Sequence, residues 1–194
     1  MNKFVLTVLL ASTIIITNAQ NYCPPIELPF KGGEQIIYDV EYKMGKTWVS
    51  AGKVRFIVKD SIYNNKSCLY LEGKGKSLKS YDWFFKVRDK YASFVSKENY
   101  KPIHFIRRVR EGEFYLDFDY DFDYEKKIAK IKEKKKEGEK QETIKIEDCS
   151  YDIMTSVYFS RAIDFSSMHI DDTVGIDIVL DKQIFKDVGI VYKG

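Results

Sequence analysis

The stretch FYLDFDYDFDYEKK, residues 114 to 127, sets four aspartates into a ladder with an aromatic residue between each pair. Consecutive side chains of a strand project to opposite faces. Phe114, Leu116, Phe118, Tyr120, Phe122 and Tyr124 therefore share one face, and Asp117, Asp119, Asp121 and Asp123 the other. Along an extended chain neighbouring aspartates stand roughly 6.5–7 Å apart. That is too far for two of them to share a proton directly and too wide for one calcium ion to gather all four. A calcium loop of the helix-loop-helix type also needs a glycine turn after its early acidic residues, and Tyr124 stands there. Lys126, Lys127, Lys130, Lys132, Lys134, Lys135 and Lys136 follow at once. A hairpin turning near 124–127 lays these lysines beside the aspartates, and opposite-charge pairs across strands contribute roughly 0.2–1 kcal/mol each. The ladder reads as the wet face of a sheet.

The same two-residue period runs through most of the chain. In 35–44, Ile36, Tyr38, Val40, Tyr42 and Met44 alternate with Ile37, Asp39, Glu41 and Lys43, the pattern of a half-buried strand. A turn near Gly45 and Lys46 joins it to 48–58 as a hairpin. Further strands are expected at 68–78, 83–87, 91–95, 103–109, 113–122, 128–134 and 173–179. Gly73 and Gly75 fall on one face of their strand, which suggests a bend or a close backbone approach. The lysine-rich run IAKIKEKKKEGEKQETIKIE carries Glu133, Glu137, Glu139 and Glu142 among its cations and reads as a solvated hairpin tip; attraction to anionic headgroups or acidic glycans is the sharper alternative.

One segment breaks the rhythm. Ile153, Met154, Val157, Tyr158 and Ala162 recur at helical spacing, with Asp148 or Ser150 as the expected cap. Many short strands and one helix close into a barrel or stack as a sandwich. The expected fold is mainly β: a curved antiparallel sheet or incomplete β-barrel, with one amphipathic helix at about 151–163 packed in or across its concave side.

Lys3 followed by the apolar run 4–17 and then Asn18, Ala19 and Gln20 has the length and flanks of a secretory signal peptide. The run is shorter than the about 20 residues of a membrane span. Cleavage after Ala19 is expected, and Cys23, preceded by Gln20, Asn21 and Tyr22, does not follow a small residue as a lipid-modified cysteine does. The expected organisation is a leader at 1–19, an extended Pro-rich arm at 20–34 and a single β-rich domain at 35–194. About 175 residues then remain, enough for one core. Removing Lys3 takes the net charge from +3 down by one, so there is no electrostatic case for nucleic acid. The leader implies export from the cytosol. An exported chain can form a disulfide, and Cys23, Cys68 and Cys149 leave three single pairings open.

Enzyme signatures are few. His104 and His169 lie in unrelated contexts, no G-x-S-x-G or phosphate-binding glycine loop occurs, and the cysteines lack zinc spacing. A nucleophile built from Cys149 and a distant histidine is the only catalytic arrangement on offer. The expectation is a non-enzyme with no cofactor and no metal.

FKGGEQIIYDVEYKMGKTWVSAGKVRF (30–56), VRDKYASFV (87–95), KPIHFIRRVREGEFY (101–115) and DCSYDIMTSVYFSRAID (148–164), in this order, resemble the bacterial exported proteins grouped as domain of unknown function 3108. The resemblance implies a secreted β-rich protein of the periplasm or cell envelope of a Gram-negative bacterium and supplies no catalytic residues. It also implies further strands beyond FKDVGIVYKG at 185–194, and hence a fragment whose barrel lacks closing strands and leaves an exposed edge.

Within the matching segments, Gly32 and Gly33 allow a sharp turn into the first strand. Arg88, Asp89 and Arg161 are candidates for an ion pair docking helix to sheet. Trp48, Tyr81, Trp83, Phe84, Phe85, Tyr91, Phe94, Tyr158 and Phe159 are candidates for a concave apolar lining. The candidate ligand-binding residues are Trp48, Trp83, Phe85, Arg88, Tyr158 and Arg161. The expected ligand is a lipid, lipoprotein or glycan on the concave sheet. The alternative is an envelope interaction module that pairs through an exposed sheet edge or the lysine-rich hairpin.

Overall fold

The computed structural model describes Cys23 and residues 27–194; the expected leader and the first part of the arm lie outside the described residues. Eight strands form one antiparallel meander, each hydrogen-bonded to the next: β1 (Gln35–Met44), β2 (Thr47–Tyr63), β3 (Lys66–Ser77), β4 (Arg88–Ser96), β5 (Pro102–Glu111), β6 (Phe114–Asp123), β7 (Ile128–Lys135) and β8 (Gly138–Lys145). A second sheet is built from β9 (Ser150–Asp152), β10 (Thr173–Leu180) and β11 (Gln183–Val191), with β10 in the middle and β9 parallel to it. Between β9 and β10 lies the helix α1 (Ile153–Phe159), extended by a 3-10 turn at Ser160–Ala162. The large sheet does not close into a barrel.

Register explains the core. Val58, Leu71, Ser93, Phe105, Tyr120 and Ile131 stand opposite one another across β2 to β7 and all are buried. They form one row on the inner face. Ile176, Ile178 and Val179 of β10, with Tyr151, Met154, Tyr158 and Phe159, complete the same apolar cluster from the other side. Each large apolar side chain taken fully out of water contributes roughly 1.5–3 kcal/mol, so this cluster is a major source of stability. The small sheet reaches the large one through its β10–β11 turn, where Arg107 pairs with Asp181 and Lys182 with Glu133 at 3.0 Å.

The helix is set by a buried polar knot. Asp152 caps α1, its Oδ1 accepting from the backbone N–H groups of Met154 and Thr155 at 2.9 Å each. Its Oδ2 accepts from Ser93 Oγ at 2.8 Å and Thr155 Oγ1 at 2.7 Å. The expected cap at Asp148 or Ser150 is therefore corrected to Asp152, which alone can reach those N–H groups from the first turn. Gly73 supplies the close approach expected of it: a Cβ there would lie 2.7 Å from Met154 Cε and 3.0 Å from Phe56 Cε1. Gly33, with φ +99°, makes the turn into β1 and donates its N–H to Val58 O at 2.9 Å.

Two expectations need correction. Segment 83–87 is not a strand; it belongs to an irregular connection that starts with a 3-10 turn at Lys79–Tyr81, and only Val87 makes a bridge, to Glu111. The ion pair docking helix to sheet is also different. Arg161 forks onto Glu34 at 2.5 and 2.9 Å, Arg88 binds Asp82, and Asp89 accepts from the backbone N–H of Arg110. Arg161 thus fastens the end of the helical segment to the arm, whose Phe30 ring packs on Tyr158 with centroids 5.1 Å apart.

Candidate functional site

The aspartate ladder folds as the wet face of β6. Asp117, Asp119 and Asp121 stand in register with Lys134, Lys132 and Lys130 of β7. Their shortest contacts, however, run to the other neighbour. Arg110 meets Asp117 at 2.7 Å, Arg108 meets Asp119 at 2.7 Å, and His104 Nδ1 lies 2.7 Å from Asp121 Oδ1. Burial pushes the Asp117 and Asp119 carboxyls up, yet the hydrogen bonds from Arg110 and Tyr115 to the first, and from His104 and Arg108 to the second, hold both below the ordinary aspartate value. The ladder is a structural ion-pair network across β5 and β6.

The candidate site lies on the opposite, inner face. Because side chains alternate, Val54, Phe56 and Val58 share the face that meets the helix. The helix covers the part around Phe56, Gly73 and Ser93, through Met154, Tyr158 and Asp152. Beyond it β1 to β4 continue, and the next residues on that face are Tyr38, Val54, Gly75 and Asp89, in register. A groove of about 530 Å³ opens there. Its floor is Val54, Gly52 and Gly75; Val40, Tyr42 and Met44 of β1 form one wall, and Tyr81, Phe84, Phe85 and Val87 the other.

Gly75 decides the shape of this groove. A Cβ at Gly52 would strike Lys76 O at 2.6 Å, so that glycine is required by the sheet; a Cβ at Gly75 would meet no atom within 4 Å. Glycine in a strand interior weakens it and often marks close approach by another group. Here that neighbour is absent among the described residues, and the missing side chain leaves the floor open. Tyr42 and Met44 remain 65% and 67% exposed although both lie on the apolar side of their strand.

The six candidate residues do not converge. Phe85 lines the groove, and its ring packs against Gly112, where a Cβ would lie 3.1 Å away. Trp83 is exposed on the same connection, and Trp48, opposite Lys43, is exposed on the other face of the hairpin. Arg88 borders a cleft on the outer face. Tyr158 is buried in the core, where desolvation pushes its phenol up to about 12, and Arg161 is held by Glu34. Sequence reasoning missed Val40, Tyr42, Met44, Val54 and Gly75. The alternation places the first four on the correct face, but only the reach of the helix shows which part of that face is left bare.

Cys149 is bound to Cys23, with Cα atoms 5.2 Å apart, and Cys68 is buried as a free thiol. The catalytic arrangement built on Cys149 thus lacks its thiol. His104 stacks on Tyr63 with ring centroids 5.1 Å apart and sits between two aspartates. Burial disfavours its protonation, but the hydrogen bonds to Asp119 and Asp121 prevail and raise it above 6.5.

An open antiparallel sheet, half covered by a helix and a small second sheet, with an apolar groove on the uncovered half, defines a β-rich protein with a single-layered end. The chain belongs to the family described as Protein of unknown function (DUF3108), whose model matches residues 37–194. No curated protein and no solved structure matches it.

Proposed function

We propose that this chain is a non-catalytic protein exported to the periplasm or cell envelope of a Gram-negative bacterium, where it holds one apolar chain of a lipid or lipoprotein in the groove over Gly75. The observation that carries this reading is the open floor at Gly75 between two apolar walls. A volume of about 530 Å³ lies within the range of about 300–1,000 Å³ usual for small-molecule sites, which combine an apolar lining with few polar groups. The charged groups and the hydroxyl at the rim of this groove, Lys53, Lys76, Asp89 and Ser77, suit a headgroup; the valines and phenylalanines suit an acyl chain better than a glycan. The Cys23–Cys149 bridge supports export, since such bonds persist in oxidising compartments.

The test is displacement of 1-anilinonaphthalene-8-sulfonate from the purified protein by fatty acids of increasing length. Displacement that strengthens with chain length, and is lost in Gly75→Leu, supports the groove. Displacement equal in Gly75→Leu and the parent chain contradicts it.

A further inference from the structure

The outer face of β2 to β4 carries a charge pattern that the stability of the sheet does not explain. Register sets Lys53 opposite Lys76 opposite Arg88, and two residues along sets Arg55 opposite Lys74 opposite Lys90. Like charges directly opposite one another are destabilising, whereas unlike pairs help. The same sheet obeys that rule at β6 and β7, where every aspartate of the ladder from Asp117 to Asp121 faces a lysine. Six cations on β2 to β4 meet three carboxylates: Asp39 beside Lys53, Asp82 beside Arg88, and Glu72 shared among Lys74 at 3.0 Å, Lys90 at 3.6 Å and Arg55 at 3.9 Å. Lys76 has no acidic partner among the described residues. These side chains and Ile37 border a shallow cleft of about 540 Å³.

This cationic block continues into an exposed aromatic tip. Arg88 Nη1 donates to Ser77 Oγ and to Asp82 Oδ1 at 3.0 and 3.1 Å, which ties the last row of cations to the 79–86 connection. Trp83 and Phe84 on that connection are 85% and 78% exposed, and Lys79 and Lys86 flank them. Basic side chains beside exposed Trp and Phe are the composition of surfaces that lie in a membrane interface. A dissolved anion offers nothing to bury two aromatic rings; a bilayer offers both headgroup phosphates and an apolar layer.

We propose that the outer face of β2 to β4, together with the Trp83–Phe84 tip, docks onto an anionic lipid bilayer, with the lysines and arginines at the headgroups and the two rings in the interface. This surface lies on the face opposite the groove floor, touches the groove only along the edge where Lys53, Lys76 and Phe84 border it, and requires no ligand there.

The experiment is co-sedimentation of the full chain with phosphatidylcholine vesicles, with and without added phosphatidylglycerol, alongside titration with inorganic phosphate. Each basic residue near such a surface contributes about 1 kcal/mol, screened within a Debye length. Wild-type protein is expected to sediment with the anionic vesicles and not the neutral ones. Lys53→Gln/Lys76→Glu is expected to weaken binding at least about tenfold, as is 0.5 M salt through screening on the order of the contact distance. Trp83→Ala should also weaken binding and diminish the blue shift of tryptophan fluorescence. Met44→Ser, in the groove wall and away from the outer cleft, should leave vesicle binding unchanged, which separates this surface from the groove. Equal binding to neutral vesicles overturns the proposal. So does undiminished binding of a folded charge-altered variant, as does binding of inorganic phosphate with none to vesicles.

Discussion

Ser93 on β4 and Asp152 at the start of α1, 59 residues apart in the chain, meet through a 2.8 Å hydrogen bond in the buried interior. That bond ties the start of the helix to β4, and with the packing of Met154 and Tyr158 on Gly73 and Phe56 it places the helix on the part of the inner face beside the groove. Thr155 Oγ1 closes the knot, 3.0 Å from Ser93 Oγ and 2.7 Å from Asp152 Oδ2.

Removing the carboxylate should loosen this docking. Asp152→Ala deletes the cap, typically about 1 kcal/mol, and leaves buried hydroxyls and N–H groups unpaired at roughly 1–3 kcal/mol. A loss of about 2–4 kcal/mol in urea unfolding is expected on those two grounds. A loss under about 0.5 kcal/mol, the size of an ordinary surface change, would show that the knot does not hold the helix. Burial pushes the Asp152 carboxyl above 3.8, against the hydrogen bonds from Thr155, Ser93 and Met154. The folded state thus binds this proton more readily than the unfolded chain. Its contribution to stability falls as pH rises through the window from 3.8 to the folded value.

Gly73 and Gly75 should respond oppositely to added side chains although they are two residues apart on one face. Gly73→Val drives a methyl into Met154 and Phe56, and overpacking of this kind costs about 1–3 kcal/mol. Gly75→Val meets open space, so thermal denaturation should show it neutral or slightly stabilised. Equal destabilisation at both positions would mean the groove floor is not open.

His104 should titrate above 6.5 in a proton NMR pH series. With a raised folded value, its ion pairs with Asp119 and Asp121 stabilise fully below 6.5 and fade as pH rises through the folded value. The Asp119 carboxyl, held low, contributes above 3.8 and loses its contribution as pH falls through its own folded value. Asp119→Asn should lower the His104 value. No change on that substitution would place the shift elsewhere.

Reduction of Cys23–Cys149, which closes a separation of 126 residues, should lower stability by roughly 2–5 kcal/mol. Unfolding with and without reductant, compared with Cys149→Ser, measures it. An unchanged midpoint would show that the arm is not tethered through this bond.

The strands with a clean alternation of apolar and charged residues were legible: in β6 and β7 burial of one face dictates the pattern, whereas β1 alternates although none of its residues is buried. β8 was not: GEKQETIK is exposed almost throughout and has no apolar face to read. Segment 83–87 misled in the opposite sense. Trp83, Phe84 and Phe85 have strand composition, yet Asp82 is drawn back by Ser77 and Arg88, and the chain bends away from the sheet. Asp148 and Ser150 were the expected caps, but the helix begins later, at Ile153, so Asp152 caps it and also meets Ser93, distant in sequence. The groove was least legible because its defining feature is a side chain that Gly75 lacks.

Native mass spectrometry of the protein taken from its own envelope, beside Gly75→Leu prepared identically, bears most directly on the groove. Wild-type protein should carry a lipid-sized adduct that Gly75→Leu has lost. Two bare chains, or the same adduct on both, would contradict an acyl-chain site over Gly75.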